Sequence, residues 1–222
     1  MTGYPDTWFD GVANCHGANT DDDFMYNWYS SSVNSRWAVP TDVTMEMDAA
    51  VVGSQTYEIS ITVGIEAGGE AKDMILHVVQ VLDYYPSYPD ERYRNCVMKD
   101  ADLINVSLGA GESETFTCQF VIDGVSWNNK ENVKIVAWVR EPGSPAPKEV
   151  HQAAQITWPL AVLVGDVDGD GDVDLPDLAC LLALYHTCAG DPGYDPNADF
   201  DGSGCVDLAD LAGLLGNYGF GT

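Results

Sequence analysis

After Pro40, apolar and polar residues alternate with a period of two. Val43, Met45 and Met47 alternate with Thr44, Glu46 and Asp48. Tyr57, Ile59, Ile61, Val63 and Ile65 alternate with Glu58, Ser60, Thr62, Gly64 and Glu66. One apolar and one polar face is the signature of a half-buried strand. The same pattern predicts strands at Met74–Asp83, Leu103–Leu108, Glu114–Ile122, Val133–Arg140 and Glu149–Thr157. Turn residues fall between them at Gly53-Ser54, Gly68-Gly69, Gly109–Gly111 and Pro142–Pro147. About seven short strands, each polar on one side, predict an antiparallel β-sandwich over residues 41–160.

The period differs on either side of this block. In the segment 1–40, Asp21-Asp22-Asp23 can cap a helix running through Phe24 to Tyr29, because acidic side chains favour helix N-termini. In the segment 161–222, Leu178, Leu181, Leu182 and Tyr185 mark one helix, Asp177 to about His186. Leu211, Leu214, Leu215 and Tyr218 mark a second, Asp210 to Tyr218. Each helix has one apolar stripe, and the two stripes are expected to pack together. The chain is therefore expected to be mainly β, with a small α module at its C-terminal end.

Each of these helices follows an aspartate-rich loop. The first has Asp166, Asp168, Asp170, Asp172, Asp174 and Asp177 at positions 1, 3, 5, 7, 9 and 12. The second begins 33 residues later, with Asp199, Asp201, Ser203, Cys205, Asp207 and Asp210 at the same positions. Side-chain oxygens at 1, 3, 5, 9 and 12, glycine at 6 and valine at 8 fit the calcium loop of an EF-hand, in which position 7 contributes its backbone carbonyl. Solvated acidic turns are the plainer reading of such residues; two copies in register, each followed by a helix pattern, favour two bound calcium ions. Both loops carry Asp at position 12 in place of Glu. No entering helix precedes either, and Ala161–Gly165 reads as a short extended segment.

Loop and exiting helix, repeated over Gly165–Gly219, resemble a dockerin, the module that plugs secreted proteins into cohesin domains. The resemblance implies two calcium ions and a protein partner. It departs at loop positions 10 and 11, which in the best-known dockerins hold a small hydroxyl pair and here hold Leu175-Pro176 and Leu208-Ala209. Such apolar pairs could also pack on the chain's own first domain.

The formal net charge is −26, and the last 58 residues contain 12 Asp and no Glu, Lys or Arg. This balance excludes nucleic acid and anionic membrane as partners. At 45% hydrophobic residues the chain can still build a core. Six cysteines without zinc spacing read as disulfides of an extracellular protein. Cys96 with Cys118 would join two strands of one domain, and Cys188 with Cys205 would staple the exit of the first helix to the second loop. Cys15 and Cys180 would then remain, and a free buried thiol is the alternative for each cysteine, above all Cys118.

No basic flank or apolar h-region stands at the start, so the chain is expected to be a mature or truncated form of an exported protein. Gly3–Gly11 resembles the late proline turn of a thioredoxin fold, with an isolated proline turn as the alternative; no C-x-x-C is present, so redox catalysis does not carry over. This opening, with Trp127-Asn-Asn, Val133–Trp138 and Glu149–Ala154, resembles exported bacterial surface proteins in which a sandwich follows a thioredoxin-like domain.

Catalytic signatures are missing. The histidines at 16, 77, 151 and 186 are scattered, no nucleophile elbow or phosphate loop occurs, and Glu58, Glu66 and Glu114 fall on the polar sides of strands. Four tyrosines in Asp83–Tyr93 either pack over the sandwich edge or stack on sugars. Leu160–Val164 is too apolar to stand in solvent. It is expected to pack the module onto its own sandwich or to add as a strand to a neighbouring subunit. The expected function is a non-catalytic extracellular calcium-binding assembly protein, docking to a cohesin-like partner or to another copy as a filament or surface-layer subunit. The alternative is a carbohydrate-binding or redox-associated part of a larger secreted, cohesin-attached protein.

Overall fold

The computed structural model describes residues 6–16, 22–53, 55–86, 92–143, 148–161 and 163–220. Strands β1 (Asp6–Phe9) and β2 (Ala13–His16) form a hairpin, followed by helix α1 (Asp22–Trp37). The strands β3 (Val43–Gly53), β4 (Thr56–Ile65), β5 (Lys72–Pro86), β6 (Arg92–Asp100), β7 (Ile104–Leu108), β8 (Ser113–Val121), β9 (Val133–Arg140) and β10 (Val150–Thr157) follow, with the short helix α2 (Gly124–Trp127) before β9. The chain ends in α3 (Leu175–Leu184) and α4 (Leu208–Asn217).

β3, β4 and β8 form one sheet in the order β3-β4-β8, and a second sheet has the order β10-β9-β5-β6. The length of β5 lets it serve two antiparallel partners in succession. Its first residues, Lys72 to Leu76, pair with β7, and Val79 to Pro86 pair with β6, with a register shift at Gln80/Val81. Burial follows the predicted alternation. Tyr57, Ile59, Ile61 and Val63 are buried along β4, and Val133, Ile135, Ala137 and Val139 along β9. This arrangement is sandwich-like, as the period of two requires.

Several elements differ from the sequence expectation. The hairpin β1–β2 and strand β6 carry no clean alternation, and α1 runs eight residues beyond Tyr29. In the hairpin, Asp10 and Gly11 both have positive φ, and a Cβ on Gly11 would fall 1.8 Å from the Lys148 carbonyl oxygen, so only glycine fits. Arg36 of α1 pairs with Asp10 and Glu149. The proline turn at Gly3-Tyr4-Pro5 lies outside the described residues, as does Tyr88. Tyr84 and Tyr85 belong to β5 and are half-buried, opposite Arg94 and Tyr93, so they are not members of a loop.

The chain divides into two compact units. One comprises Met1–Met47, Ser60–Thr117 and Lys134–Ile156; the other comprises Asp48–Ile59, Cys118–Val133 and Thr157–Thr222. In the first unit, His77 stacks on Trp138 with ring centroids 4.8 Å apart, and its Nε2 accepts a hydrogen bond from Arg140 Nε at 2.9 Å. Burial, with the Arg140 charge adding, holds His77 below the usual imidazole range. A depressed histidine contributes stability that is present above the unfolded-state pKa and is lost as pH falls through the folded-state value. Stability is therefore expected to decline as pH drops below about 6.5, with a shallower decline in His77→Gln. Equal slopes by urea titration would contradict this role.

Candidate metal centre

The second unit contains both acidic loops. Asp166 Oδ1 accepts from Asp170 N–H at 3.0 Å and Oδ2 from Gly171 N–H at 3.0 Å, while Asp168 Oδ1 accepts from Asp170 N–H. Asp177 is fully buried. Its Oδ1 accepts from Val167 and Asp168 N–H at 2.7 and 3.2 Å, and its Oδ2 from Asp174 N–H at 2.9 Å. The second loop repeats this set position for position. Asp199 takes Ser203 and Gly204, Asp201 takes Ser203, and Asp210 takes Phe200, Asp201 and Asp207. Short aspartates bonded to nearby backbone N–H groups fold each loop back on itself and bring carboxylates together.

The outcome is convergence of oxygen. One carboxylate oxygen from each of Asp166, Asp168 and Asp177 lies within 4.8 Å of the others, and the same holds for Asp199, Asp201 and Asp210 and for Asp170, Asp172 and Asp177. These clusters can hold a metal ion. Oδ1 of Asp172 and Oδ1 of Asp174 are buried and accept no hydrogen bond, an arrangement that is costly unless a cation meets them. Burial pushes Asp166 up to about 6, with the charges of Asp177 and Asp170 adding. Asp168, Asp172 and Asp174 are also raised, by desolvation first and neighbouring carboxylates second. A bound dication would relieve both causes.

Ser203 and Cys205 occupy positions 5 and 7 of the second loop. The Ser203 hydroxyl bonds to the Cys205 backbone, and Cys205 is disulfide-bonded to Cys188. The expected staple between the first helix exit and the second loop is therefore present. The expected Cys96–Cys118 bridge is absent: both are free thiols, on β6 and β8 of different sheets. Cys15 and Cys180 are also unpaired. Cys15 is buried with its Sγ 3.2 Å from Ser32 Oγ, and Cys180 is exposed on α3.

Both helices begin two residues earlier than expected, at Leu175 and Leu208. Asp177 and Asp210 thus sit at the third helical position, where their carboxylates accept the N–H of Asp174 and Asp207. Pro176 is tolerated because the first turn leaves its N–H groups unused. The helices end at Leu184 and Asn217, and two residues later the chain turns at His186 (φ 68°) and Gly219 (φ 86°), equivalent positions in the two halves. Of the predicted stripes, Leu181 and Leu214 are fully buried with Val167, Val173, Ala198 and Val206, and Leu178, Leu211 and Tyr185 pack against them. Leu182, Leu215 and Tyr218 are exposed, because the helices meet at Leu181 and Leu214 and those residues lie on other faces. Of the segment expected to be extended, residues 163–165 are not. Asp166 N–H closes a turn onto Leu163 O, and Gly165 takes φ 110° where a Cβ would meet Val173 at 2.8 Å.

The sequence did not reveal how the halves clasp each other. Val173 donates to Phe220 O and accepts from Gly219 N–H, each at 2.8 Å. Val206 donates to Thr187 O and accepts from His186 N–H at the same distances. Position 8 of each loop is thus paired with the residues that follow the opposite helix. A chain ending at Tyr218 is expected to lose about thirtyfold in ion affinity at the first loop, since two backbone bonds at about 1 kcal/mol each make about 2 kcal/mol. The second loop should change less, and equal losses at both by calorimetry would contradict the exchange. Tyr194 is a further residue outside the predicted set. Its hydroxyl donates to Asp199 Oδ2 at 2.6 Å and holds that carboxylate below its usual range. A cavity of about 440 Å³ is lined by Asp166 and Asp199, the first position of each loop, together with Tyr57, Trp158, Leu163 and Phe200.

No family model and no curated protein matches the chain. Among solved structures, HBP35 of Porphyromonas gingivalis is 15% identical over 59% of this chain and 46% of that one, with a TM-score of 0.47. A domain of the outer membrane lipoprotein Omp28 from the same organism is 14% identical over 52% and 94%, with a TM-score of 0.38. A beta-glucuronidase of Bacteroides uniformis is 13% identical over 50% and 12%, with a TM-score of 0.33. Likenesses this distant assign neither a family nor an activity. Among the described residues, no helix is long and apolar enough to cross a membrane.

Proposed function

We propose that the chain is a non-catalytic extracellular assembly protein whose two loops each bind one Ca²⁺ and whose dockerin-like helix pair docks onto a cohesin-like partner or another copy. The carrying observation is that one hydrogen-bonded arrangement of aspartates is built twice, at equivalent positions of the two loops. The donors offered are carboxylates, one hydroxyl and backbone carbonyls, a hard oxygen set that suits Ca²⁺ and offers nothing to softer metals. Oxygens around one calcium ion lie at most roughly 5 Å apart, and the oxygens of each cluster fall within that limit. Magnesium, which needs a near-ideal octahedron and keeps its waters, fits such a crowded loop less well.

Docking is supported by the outer faces of the helices. Leu175 and Leu182 on α3 are 65% and 53% exposed, and their equivalents Leu208 and Leu215 on α4 are 68% and 54% exposed. Four exposed leucines in a matched arrangement suit burial by a partner. With no Lys or Arg in residues 165–222, a partner with basic residues at the rim of its interface is favoured. Light scattering with electron microscopy, in calcium and then in excess chelator, tests the reading. Ordered particles that dissolve on chelation are expected if copies dock, and calcium-dependent capture by a cohesin-like domain is expected if they do not. A calcium-saturated protein that shows neither behaviour would contradict the docking function.

A further inference from the structure

The two loops are alike inside and unlike outside. In the first loop, a Cβ on Gly171 would fall 2.4 Å from Cη2 of Trp127, so the indole lies directly over position 6. The carbonyl of Gly169, position 4, accepts a hydrogen bond from Lys130 Nζ. The same ammonium lies 4.6 Å from the centroid of the Trp127 ring and 5.5 Å from that of Trp158. Trp127 and Trp158 meet edge to face at 5.6 Å, and Trp158 meets Tyr57 in the same way at 5.9 Å. At the equivalent positions of the second loop, Gly202 and Gly204, a Cβ would meet nothing within 4 Å. There the contacts from outside the loop come from within the module and include Tyr194 on Asp199, Ala189 N–H on the Gly204 carbonyl and the Cys188–Cys205 bridge.

We propose that Trp127 and Lys130 are positioning residues of the first ion site, so that an ion in the first loop, but not one in the second, orders residues 123–133 and the Trp127–Trp158 pair. This rests on the calcium reading of the loops. Residues 165–222 supply no Lys or Arg, so Lys130 brings a positive charge from outside the module to a loop of six aspartates. It does so at position 4, whose carbonyl is not among the ligand positions, so its bond survives when the ion enters. Trp127 in turn limits where positions 5 to 7 can move, because any displacement of Gly171 toward the indole is blocked. Fixing the loop before the ion arrives lowers the ordering cost of binding, and by linkage the bound ion must stabilise the residues that do the fixing.

The full chain with calcium, and with terbium as a luminescent substitute, provides the test. Calorimetry first establishes how many ions bind. Tryptophan-sensitised terbium emission is expected to persist in Asp199→Ala, to be lost in Asp166→Ala and to fall several-fold in Trp127→Phe with ion stoichiometry unchanged. In hydrogen exchange, calcium should protect residues 123–133 at least several-fold in the wild type and in Asp199→Ala. Lys130→Met should abolish that protection while both ions still bind, and Lys130→Arg should restore it. Binding of both ions with no calcium-dependent protection of 123–133, or equal protection in Asp166→Ala and Asp199→Ala, would overturn the coupling and leave the calcium reading intact. Absence of any ion binding would overturn both.

Discussion

Asp177→Ala is expected to abolish ion binding at the first loop and to cost at least about 3 kcal/mol of the stability measured in calcium. The side chain is fully buried and its two oxygens accept three backbone hydrogen bonds, from Val167, Asp168 and Asp174. Hydrogen bonds to a charged acceptor are the strong kind, and removing it leaves three donors to find water in a closed loop. The same carboxylate also belongs to two of the converging clusters, so the ion loses a ligand that serves both ends of the loop. Without metal the effect should be smaller, since removing one carboxylate also relieves its repulsion with Asp166 and Asp168. Asp177→Asn separates the two roles. Its amide oxygen can still accept from Val167 and Asp168, so the loop should keep its shape while ion affinity falls steeply. Asp210→Ala should do the same to the second loop, because its three hydrogen bonds are equivalent. A calcium-bound Asp177→Ala protein of wild-type stability would show that the carboxylate is not the keystone of its loop.

Opening the Cys188–Cys205 disulfide is expected to cost about 3 kcal/mol, the loop-closure entropy of a bridge of this span. The bridge closes a sequence separation of 17 residues and joins the segment after α3 to position 7 of the second loop. Its effect should also be local. Position 7 contributes its backbone carbonyl to a calcium ion in loops of this type, and the bridge fixes that carbonyl against a segment already paired with Val206. Cys188→Ser with Cys205→Ser should therefore weaken the second ion site more than the first. Urea titration in calcium, with and without reductant, reads the stability change, and an unchanged midpoint on reduction would contradict it.

Strands whose two faces differ in polarity were legible from alternation alone. Val133–Arg140 matches the observed strand residue for residue, and Tyr57–Ile65 differs by one residue at its start. Strand β6 escaped because its position beside β5 comes from pairing, and Val97 is 61% exposed, so no apolar face marks it. The acidic loops were legible from the spacing of their aspartates: Asp166, Asp168, Asp170, Asp172 and Asp177 in the first, and Asp199, Asp201 and Asp210 in the second, fall in clusters that could hold a metal ion. Contacts made across long separations in sequence were not legible. Nothing in Lys130 or Trp127 announces a loop some 40 residues away, and the exchange of Val173 and Val206 between halves depends on where each helix stops. The helix stripes were misjudged for a similar reason. A period of 3.6 gives the apolar face, but only the crossing point of the two helices decides that Leu181 is covered and Leu182 is not.

The central claim is that each loop holds one calcium ion, and isothermal titration of the metal-free chain tests it most directly. Two ions are expected per wild-type chain, one in Asp166→Ala, one in Asp199→Ala and none in the double variant. No uptake by the wild type, or two ions still bound by the double variant, would contradict the account.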